Sequence, residues 1–445
     1  MTTLALARER LGRAVPLLVV AALAGVALRL VFPGDITYLE DEHWTFTHVQ
    51  AARSGEPWAP LGMPSSRGVR NAGMSVWVFI VLGVVGDVST PAGLARAVAV
   101  LALVGHALLL VVPLALLREE RDREAWLWAF ALAATNPILV FLERKIWAQS
   151  VLPIFYAVLI VAWLRRGTRA GAFTWGLVGA VVGQIHMAGF FFAPALALWS
   201  RFCAGGLPEA QRRVRWGAWL AGSAVGALPA VPWLLYLVRE RPPPTSSGSQ
   251  LLRFRLEFYQ YFFSDPTGLA GQYGMGSDWL PSMKYPLLAG HPTYLVLAAH
   301  VALAAASVAI GRTALAHLWR RRGELRELVV RPRSETGLLL AATIFGMGGL
   351  MTLPSISIHR HYMMAVFPLP YVWAARAALR GAGGRRWLAV LCAAGFVASA
   401  GFLGFNHVHE GSAGLGKAWS AQARDGTSFD EAKRYRKAPE EERAP

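Results

Sequence analysis

The fold is decided by residues 14–32, which read AVPLLVVAALAGVALRLVF and carry one charged side chain, Arg29. A helix of this length rises about 28 Å, close to the roughly 30 Å thickness of the hydrocarbon core of a bilayer. The stretch is too long for the apolar region of a signal peptide, and no small-residue cleavage site follows it, so we expect a retained membrane span. Arg8, Arg10 and Arg13 precede it and predict a cytoplasmic start.

Composition extends this interpretation to the whole chain. Of the 445 residues, 55% are hydrophobic and 16% are charged, with a mean hydropathy of +0.39, which excludes an ordinary soluble domain. The net charge of +17 is spread over the loops, unlike the single basic patch of a nucleic-acid-binding protein. The two cysteines, Cys203 and Cys392, lie in or beside apolar stretches, so neither a disulfide framework nor a thiolate metal site is predicted.

The apolar stretches predict an all-α polytopic membrane protein with about eleven transmembrane helices. The predicted spans are 14–32, 94–117, 125–142, 148–164, 171–187, 188–201, 216–238, 291–311, 336–353, 361–379 and 387–405. Residues 72–85 are also apolar but short, and we expect an interfacial or re-entrant segment there. The spans at 171–187 and 188–201 are near the minimum length for crossing, so their register stays open. The chain thus divides into a transmembrane domain over 1–405 and a polar tail over 406–445.

Positive charge assigns the two sides of the membrane. Loops 165–169, 212–215 and 320–333 are rich in arginine and are therefore predicted to be cytoplasmic. The outer side then receives residues 33–93 (the first loop), 143–147, 239–290 (the large loop) and 354–360. The tail carries seven basic residues, so its side stays open. Because the polar residues suited to chemistry lie in the outer loops, we expect the functional site there.

A short helix is predicted at the start of the first loop. Thr37 and Glu40 have the spacing of a capping box, so a helix is expected to begin at Tyr38, with Glu40 bonded back to the cap. Asp41 and Glu42 follow in its first turn, and the apolar residues after them make the helix amphipathic. The two carboxylates either complement the positive end of the helix or face a site at the membrane surface.

Five short motifs follow one another along the chain: Tyr38 to Trp44 (YLEDEHW), Asn71-Ala72-Gly73, Ala95-Arg96, Gln184-Ile185-His186, and Arg360-His361-Tyr362 before Pro368. In this order they resemble the GT-C polyprenyl-phosphate-sugar glycosyltransferases of family 39, which include protein O-mannosyltransferases and lipid A aminoarabinose transferases. The resemblance implies a GT-C-like fold, a sugar donor carried on polyprenyl phosphate, a lipid, glycan or protein acceptor, and a site on the outer, periplasmic face of the inner membrane. Many relatives have an aspartate where this chain has Glu143 or Gln149.

Such a transfer needs a carboxylate to accept the proton of the acceptor, and cations to hold the departing phosphate. Asp41 and Glu42 are the predicted catalytic carboxylates, and the resemblance favours Asp41 as the base. Arg360 suits the phosphate because a guanidinium can hold two oxygens at once. The other candidates for the phosphate are His359 and His361 and, more weakly, Arg144, Lys145 and Lys284. Those for the acceptor or sugar are Glu143, His186, Gln184 and Tyr362.

Simpler roles compete with several of these predictions. Arg144 and Lys145 would also attract anionic headgroups, and His186 would also serve helix packing. A divalent metal stays open, since one carboxylate pair supplies few of the oxygens a hard cation needs.

The large loop carries two further patterns. Aromatic residues over 254–263 predict a second interfacial helix, and the glycine-rich stretch 268–279 predicts a mobile cover. Two other functions fit a polytopic basic protein: a transporter or lipid flippase, and a glycan ligase or polymerase that acts on a lipid pyrophosphate. The absence of a convincing internal repeat weighs against transport, and the acidic pair directly after the first span favours the glycosyltransferase.

Overall fold

The computed structural model describes residues 14–65, 69–240, 256–352, 358–428 and 430–432. In this part of the chain the helices of the first half are α1 (Ala14–Leu30), α2 (Glu40–Arg53), α3 (Met74–Val85), α4 (Pro91–Leu109), α5 (Glu120–Thr135), α6 (Pro137–Leu142), α7 (Leu152–Leu164), α8 (Arg169–Ile185), α9 (Gly189–Phe202), α10 (Glu209–Arg212), α11 (Trp216–Ala227) and α12 (Val231–Glu240). The second half contributes α13 (Glu257–Ser264), α14 (Gln272–Met275), α15 (Trp279–Ser282), α16 (Leu295–Arg320), α17 (Leu325–Val330), α18 (Glu335–Ala341), α19 (Gly348–Thr352), α20 (Leu369–Ala378), α21 (Gly384–Val408) and α22 (Trp419–Asp425).

Three small antiparallel hairpins complete the described structure. They pair β1 (Leu61–Pro64) with β2 (Arg70–Ala72), β3 (Leu287–Leu288) with β4 (His291–Pro292), and β5 (Gly411–Ser412) with β6 (Gly416–Lys417). Short 3-10 or π turns join many of the helices, including Val112–Leu116, Ala148–Val151 and Arg360–Val366. The fold is therefore a helical bundle with small hairpins in its loops.

The apolar helices fall where the hydropathy pattern predicts spans. Five helical segments are long and apolar enough to cross a membrane by length and composition: Pro91–Leu116, Glu209–Glu240, Leu295–Arg320, Glu335–Thr352 and Gly384–Val408. Shorter apolar helices cover Pro16–Leu30, Met74–Val85 and Ala148–Leu164. The chain is a multi-pass helical membrane protein. The span predicted at 291–311 is displaced to Leu295–Arg320, since residues 291–292 pair in the β3–β4 hairpin.

Proline divides predicted spans into shorter helices. The span predicted at 125–142 consists of α5 and α6, which are separated by Asn136 and Pro137. The side-chain oxygen of Asn136 accepts the Leu139 N–H at 3.2 Å and so begins α6. Pro229 and Pro368 mark similar breaks, before α12 and before α20. Because proline lacks the N–H that continues a helix, each break redirects the chain within the bundle.

Helix α3 is the short apolar segment that we expected not to cross. Its 12 residues give a length of about 18 Å, well below the thickness of the hydrocarbon core. It packs against α2, where a Cβ at Gly83 would lie 2.2 Å from a side-chain carbon of Val49. Helices α2 and α3 therefore form one unit, which brings the residues around Asp41 against the bundle.

The three arginine-rich loops lie together at one end of α7. The Arg166 guanidinium pairs with Glu335 at 2.9 Å, and the Arg166 carbonyl accepts the Arg215 N–H at 3.1 Å. Trp199 donates to the Val329 carbonyl at 3.2 Å, which adds loop 320–333 to the same group. Residues at the other end of α7, from 143 to 150, contact the first loop and the segment 359–362. The bundle thus separates an arginine-rich end from an end with mixed polar residues.

The large loop packs against the bundle at both of the segments with predicted patterns. Helix α13 buries Phe258 and Phe262 completely, so it packs into the bundle instead of lying at an interface; residues 254 and 255 lie outside the described part of the chain. The glycine-rich stretch is a series of short turns, in which Gly274 packs against Phe402 and Phe141. Glycine permits close contact there, and the mobile cover stays a prediction.

The tail folds back onto the first loop. The Trp419 N–H donates to the Ile36 carbonyl at 3.1 Å, and the Ser420 N–H donates to the Gly34 carbonyl at 3.0 Å. Residues 407–427 therefore lie on the same side of the bundle as the start of α2.

Candidate active site

Helix α2 presents the acidic residues at its first turn. It begins at Glu40, and the Glu42 carboxylate accepts the Leu39 N–H at 3.1 Å. The predicted capping box of Thr37 and Glu40 is therefore wrong: the chain bends at Leu39, two residues later than expected, so Glu42 occupies the third helical position and reaches back. Glu42 is buried and Glu40 is exposed. Asp41, between them, is half-buried.

The environment of Asp41 changes its acidity. Burial raises the pKa of Asp41 to about 6, and the Glu42 charge raises it too, whereas Lys145 acts in the opposite direction. A carboxylate with a pKa near 6 is a better proton acceptor than an ordinary aspartate and is still mostly ionised at neutral pH. Asp41 therefore has the acidity that a general base requires.

Lys145 connects the acidic turn to the rest of the site. Its ammonium group lies 3.3 Å from a Glu42 carboxylate oxygen and 3.4 Å from the centre of the Trp147 ring. The residue is only 5% exposed, so the desolvated charge gains from both contacts. This burial distinguishes Lys145 from a lysine that is solvated at a headgroup surface.

Asp41, Glu42 and Lys145 form the first wall of the site. Imidazole and aromatic rings form a second wall, which we call the histidine wall: His186, His359, His361 and Tyr362. The rings of His359 and His361 stack at 5.5 Å, and the His186 ring meets Tyr362 at 4.8 Å. The Trp147 ring lies 5.3 Å from His361 and so joins this wall to Lys145. Two separate parts of the sequence, residue 186 and residues 359–362, are thus brought together.

Arg360 is held beside this wall by a residue that the sequence analysis missed. Its guanidinium pairs with the buried Asp265 and lies 4.6 Å from the centre of the Tyr261 ring. Burial raises the pKa of Asp265 to about 7, although Arg360 lowers it. Asn136 also donates to the Asp265 carbonyl at 2.9 Å, which fixes the loop. Nothing in the sequence around Asp265 marks it as a partner of Arg360.

Tyr273 is a second missed residue. Its hydroxyl lies 3.0 Å from Nδ1 of His361. It belongs to the glycine-rich stretch, whose composition suggested a cover and gave no sign of a fixed partner 88 residues away. Trp147, which stood next to predicted residues without being chosen, also becomes part of the site.

Three predicted residues lie in the framework of the site. Arg144 donates to the carbonyls of Val31 and Phe32, at 2.7 and 2.8 Å, and so caps the end of α1. Glu143 is fully buried between Arg29 at 2.5 Å and His106 at 2.8 Å. Gln184 donates to the Gly226 carbonyl at 2.7 Å, between α8 and α11. These three side chains therefore have partners inside the bundle. Lys284, another predicted residue, is not among the residues that form the two walls.

The described residues contain no group of three or more histidine, cysteine, aspartate or glutamate side chains placed to hold a metal ion. The two walls can instead supply a proton acceptor, fixed positive charge and flat aromatic surfaces. Aromatic faces and polar groups together suit a ligand that has both apolar and hydroxyl-bearing surfaces.

Fold and site together define a multi-pass helical membrane protein with a polar site at one end of its bundle. No family model matches the sequence, and no curated protein matches it. Among solved structures, the chain is similar to ArnT from Cupriavidus metallidurans bound to undecaprenyl phosphate, with 15% identity and a TM-score of 0.44 over 90% of this chain and 64% of that chain. It is also similar to the Archaeoglobus fulgidus oligosaccharyltransferase tethered to an acceptor peptide, with 13% identity and a TM-score of 0.45 over 88% and 56% of the two chains.

The chain spans between half and two thirds of the length of these solved chains.

Proposed function

We propose that this protein is a glycosyltransferase that moves a sugar from a polyprenyl-phosphate donor to an acceptor at the outer face of the inner membrane. The observation that carries the proposal is the Asp41 carboxylate, half-buried and with a pKa raised to about 6, on the same wall as the buried ammonium of Lys145. A base and a desolvated cation on the same wall match a reaction that removes a proton and releases a phosphate.

In the proposed reaction, a hydroxyl or amine of the acceptor attacks the anomeric carbon of the sugar. The bond between that carbon and the phosphate oxygen breaks, and the phosphate keeps the electron pair. The proton of the acceptor passes to Asp41. Sugar transfer of this kind passes through a state with positive charge on the ring, so a nearby carboxylate also stabilises the sugar.

Two cations are proposed to hold the phosphate. Lys145 supplies a point charge that is already desolvated, because Glu42 and Trp147 surround it. Arg360 has five N–H donors, and its bond to Asp265 leaves the others for phosphate oxygens. His359, which is exposed, and His361 lie on either side of Arg360 in the chain and can donate further hydrogen bonds. His186 and Tyr362 are proposed to face the sugar or the acceptor.

The location of the site rests on the predicted topology. Eleven crossings place the first loop, residues 143–147 and residues 354–360 outside, and the arginine-rich loops inside. The lipid chain of the donor would then lie in the outer leaflet, with its phosphate at the depth of the polar site. Donor, acceptor and side of the membrane are all parts of the proposal.

Purified protein in lipid vesicles tests the proposal directly. It would be incubated with a panel of polyprenyl-phosphate sugars, and release of polyprenyl phosphate would be followed by mass spectrometry. Surface glycans and glycolipids of cells with and without the protein would be compared in parallel, to identify the sugar and acceptor. Release by wild type and loss in Asp41→Asn support the proposal. Transport of a panel member across vesicles without bond cleavage would favour the transporter instead.

A further inference from the structure

Residues 407–427, which we call the terminal segment, are bound to the first loop. Ser420 donates its hydroxyl to an Asp35 carboxylate oxygen at 2.8 Å, and Nδ1 of His407 lies 2.8 Å from the other oxygen of that carboxylate. The His407 ring also stacks on Phe32 at 3.9 Å. With the two backbone bonds to Gly34 and Ile36, these contacts fix the residues that lead into α2.

The same segment is bound to the large loop on its other side. The Gly414 N–H donates to the Met275 carbonyl at 3.2 Å, and the Ala413 N–H donates to an Asp278 carboxylate oxygen at 2.6 Å. A Cβ at Gly414 would lie 2.3 Å from the Gly274 carbonyl oxygen. Only glycine fits between these two pieces of backbone, so the contact depends on that residue.

Both attachments lead directly to a wall of the site. On one side, the Gln422 side chain donates to the Tyr38 carbonyl at 3.4 Å, and Gly416, with a φ of +77°, turns the β5–β6 hairpin against Leu39. Leu39 directly precedes α2 and lies two positions before Asp41. On the other side, Met275 is two positions after Tyr273, whose hydroxyl contacts His361.

We propose that the terminal segment is a positioning element, which sets the separation between Asp41 and the histidine wall. The inference rests on the proposed function, because the separation matters only if both walls act on one substrate. Its contacts join the two walls from outside the site, so loosening them should leave the binding groups intact while misplacing the base. Misplacement of a reacting group by about 1 Å is enough to lower a rate by roughly 100-fold.

The test compares two identical substitutions. Gly414→Ala forces the hairpin away from the large loop, whereas Gly404→Ala, in α21, meets nothing within 4 Å. In purified protein we expect Gly414→Ala to lower kcat at least about tenfold with less than a twofold change in the KM for the lipid donor, and Gly404→Ala to match wild type. Equal kcat in the two variants would overturn the inference.

A second arm separates positioning from general damage. Asp35→Ala removes the two side-chain contacts of Asp35 with His407 and Ser420. Adding Gly34→Cys and Ser420→Cys to this variant allows a disulfide to replace them. An ideal Cβ at Gly34 would lie 2.9 Å from the Ser420 Cβ, so a small shift permits a disulfide. In a background with Cys203→Ala and Cys392→Ala, we expect formation of the disulfide between positions 34 and 420 to restore the kcat lost in Asp35→Ala. Reduction of the disulfide should lower kcat again. Failure of the closed disulfide to restore kcat would overturn the inference.

Hydrogen exchange distinguishes failure of the positioning inference from failure of the proposed function. Amides 36–43 should exchange faster in Gly414→Ala than in Gly404→Ala, whether or not the vesicle assay detects sugar transfer. If these amides exchange faster in Gly414→Ala while the wild-type protein shows no transferase activity, the proposed function is rejected and the mechanical coupling is kept. Unchanged exchange would reject the coupling even in an active enzyme.

Discussion

At the scale of single residues, Asp41 determines how the proposed reaction responds to pH. Because burial raises its pKa to about 6, the basic form is lost as the pH falls through that value. We expect kcat/KM to fall about tenfold for each pH unit below 6, and to change little between pH 7 and 8. Initial rates in vesicles across pH 4.5 to 8, about the range that brackets this pKa, measure the profile. A kcat/KM that stays constant below pH 6 would contradict the role of Asp41 as the base.

Substitution within the acidic turn separates its members. Asp41→Asn keeps the size and hydrogen bonding of the side chain but removes the proton acceptor, so turnover should fall by about 100-fold or more while the protein stays folded. Glu42→Gln should reduce turnover less, since its amide oxygen can still accept the Leu39 N–H. Single-turnover rates would be compared at equal donor saturation. Normal transfer by Asp41→Asn with an inactive Glu42→Gln would reverse the assignment.

Arg360 offers a test of donor binding. Arg360→Ala should raise the KM for the lipid donor by roughly 30-fold, about 2 kcal/mol, which is typical of a hydrogen bond to a charged group. Lysine at this position should restore part of the loss, because it lacks the planar fork. Arg53→Ala is the matched control, as Arg53 also pairs with an aspartate, Asp87, but away from the site. An unchanged KM in Arg360→Ala would return this residue to a structural role with Asp265.

Sequence reasoning at this scale found residues with a local signature and missed those defined by distant partners. Asp41 stands in an acidic turn, and His361 stands in a short polar motif, so both were predicted. Asp265 and Tyr273 matter because of Arg360 and His361, which are 95 and 88 residues away. Glu42 took over the cap because the helix begins two residues later than the local spacing suggested, a difference within the usual uncertainty of helix ends.

At the scale of elements, α1 is attached to the bundle by a buried ionic group. Arg29 pairs with Glu143 and also donates to the carbonyls of Ala133 and Ala134. Arg29→Ala would leave the Glu143 charge buried with less compensation, so the free energy of unfolding in detergent should fall by about 3–5 kcal/mol. Arg385→Ala, which breaks the largely exposed pair with Glu124, should cost less than about 1 kcal/mol. Equal losses would mean that Arg29 is not a structural anchor.

Hydropathy predicted the positions of the apolar elements but not their divisions. A stretch such as 384–408 is visible in the sequence because length and composition alone define a span. The division at Asn136 and Pro137 was not recognised, since the apolar pattern continues through it. The burial of Phe258 was also missed, because an aromatic face looks alike whether it meets lipid or Gly348 of the bundle.

At the scale of the whole molecule, the sidedness of the two ends decides whether the proposed site faces outward. In a background without native cysteines, a membrane-impermeant thiol reagent should label position 41 from outside and position 325 only after the membrane is opened. Position 250, also predicted to be outside, lies beyond the described residues. Position 426 should label with position 41, because the terminal segment packs on the first loop. A cytoplasmic position 41 would contradict the proposed reaction.

The contact between Asp35 and Ser420 spans 385 residues of chain, which has a consequence for biosynthesis. At translation rates of about 5–20 residues per second, roughly 20–80 seconds separate the emergence of the two partners from the ribosome. During that interval the acidic turn is already made, but the segment that holds it against the large loop is not. A nascent chain therefore completes this polar end only after α21 has been made. Quality control that senses an unpaired first loop would act on translation products truncated before Ser420.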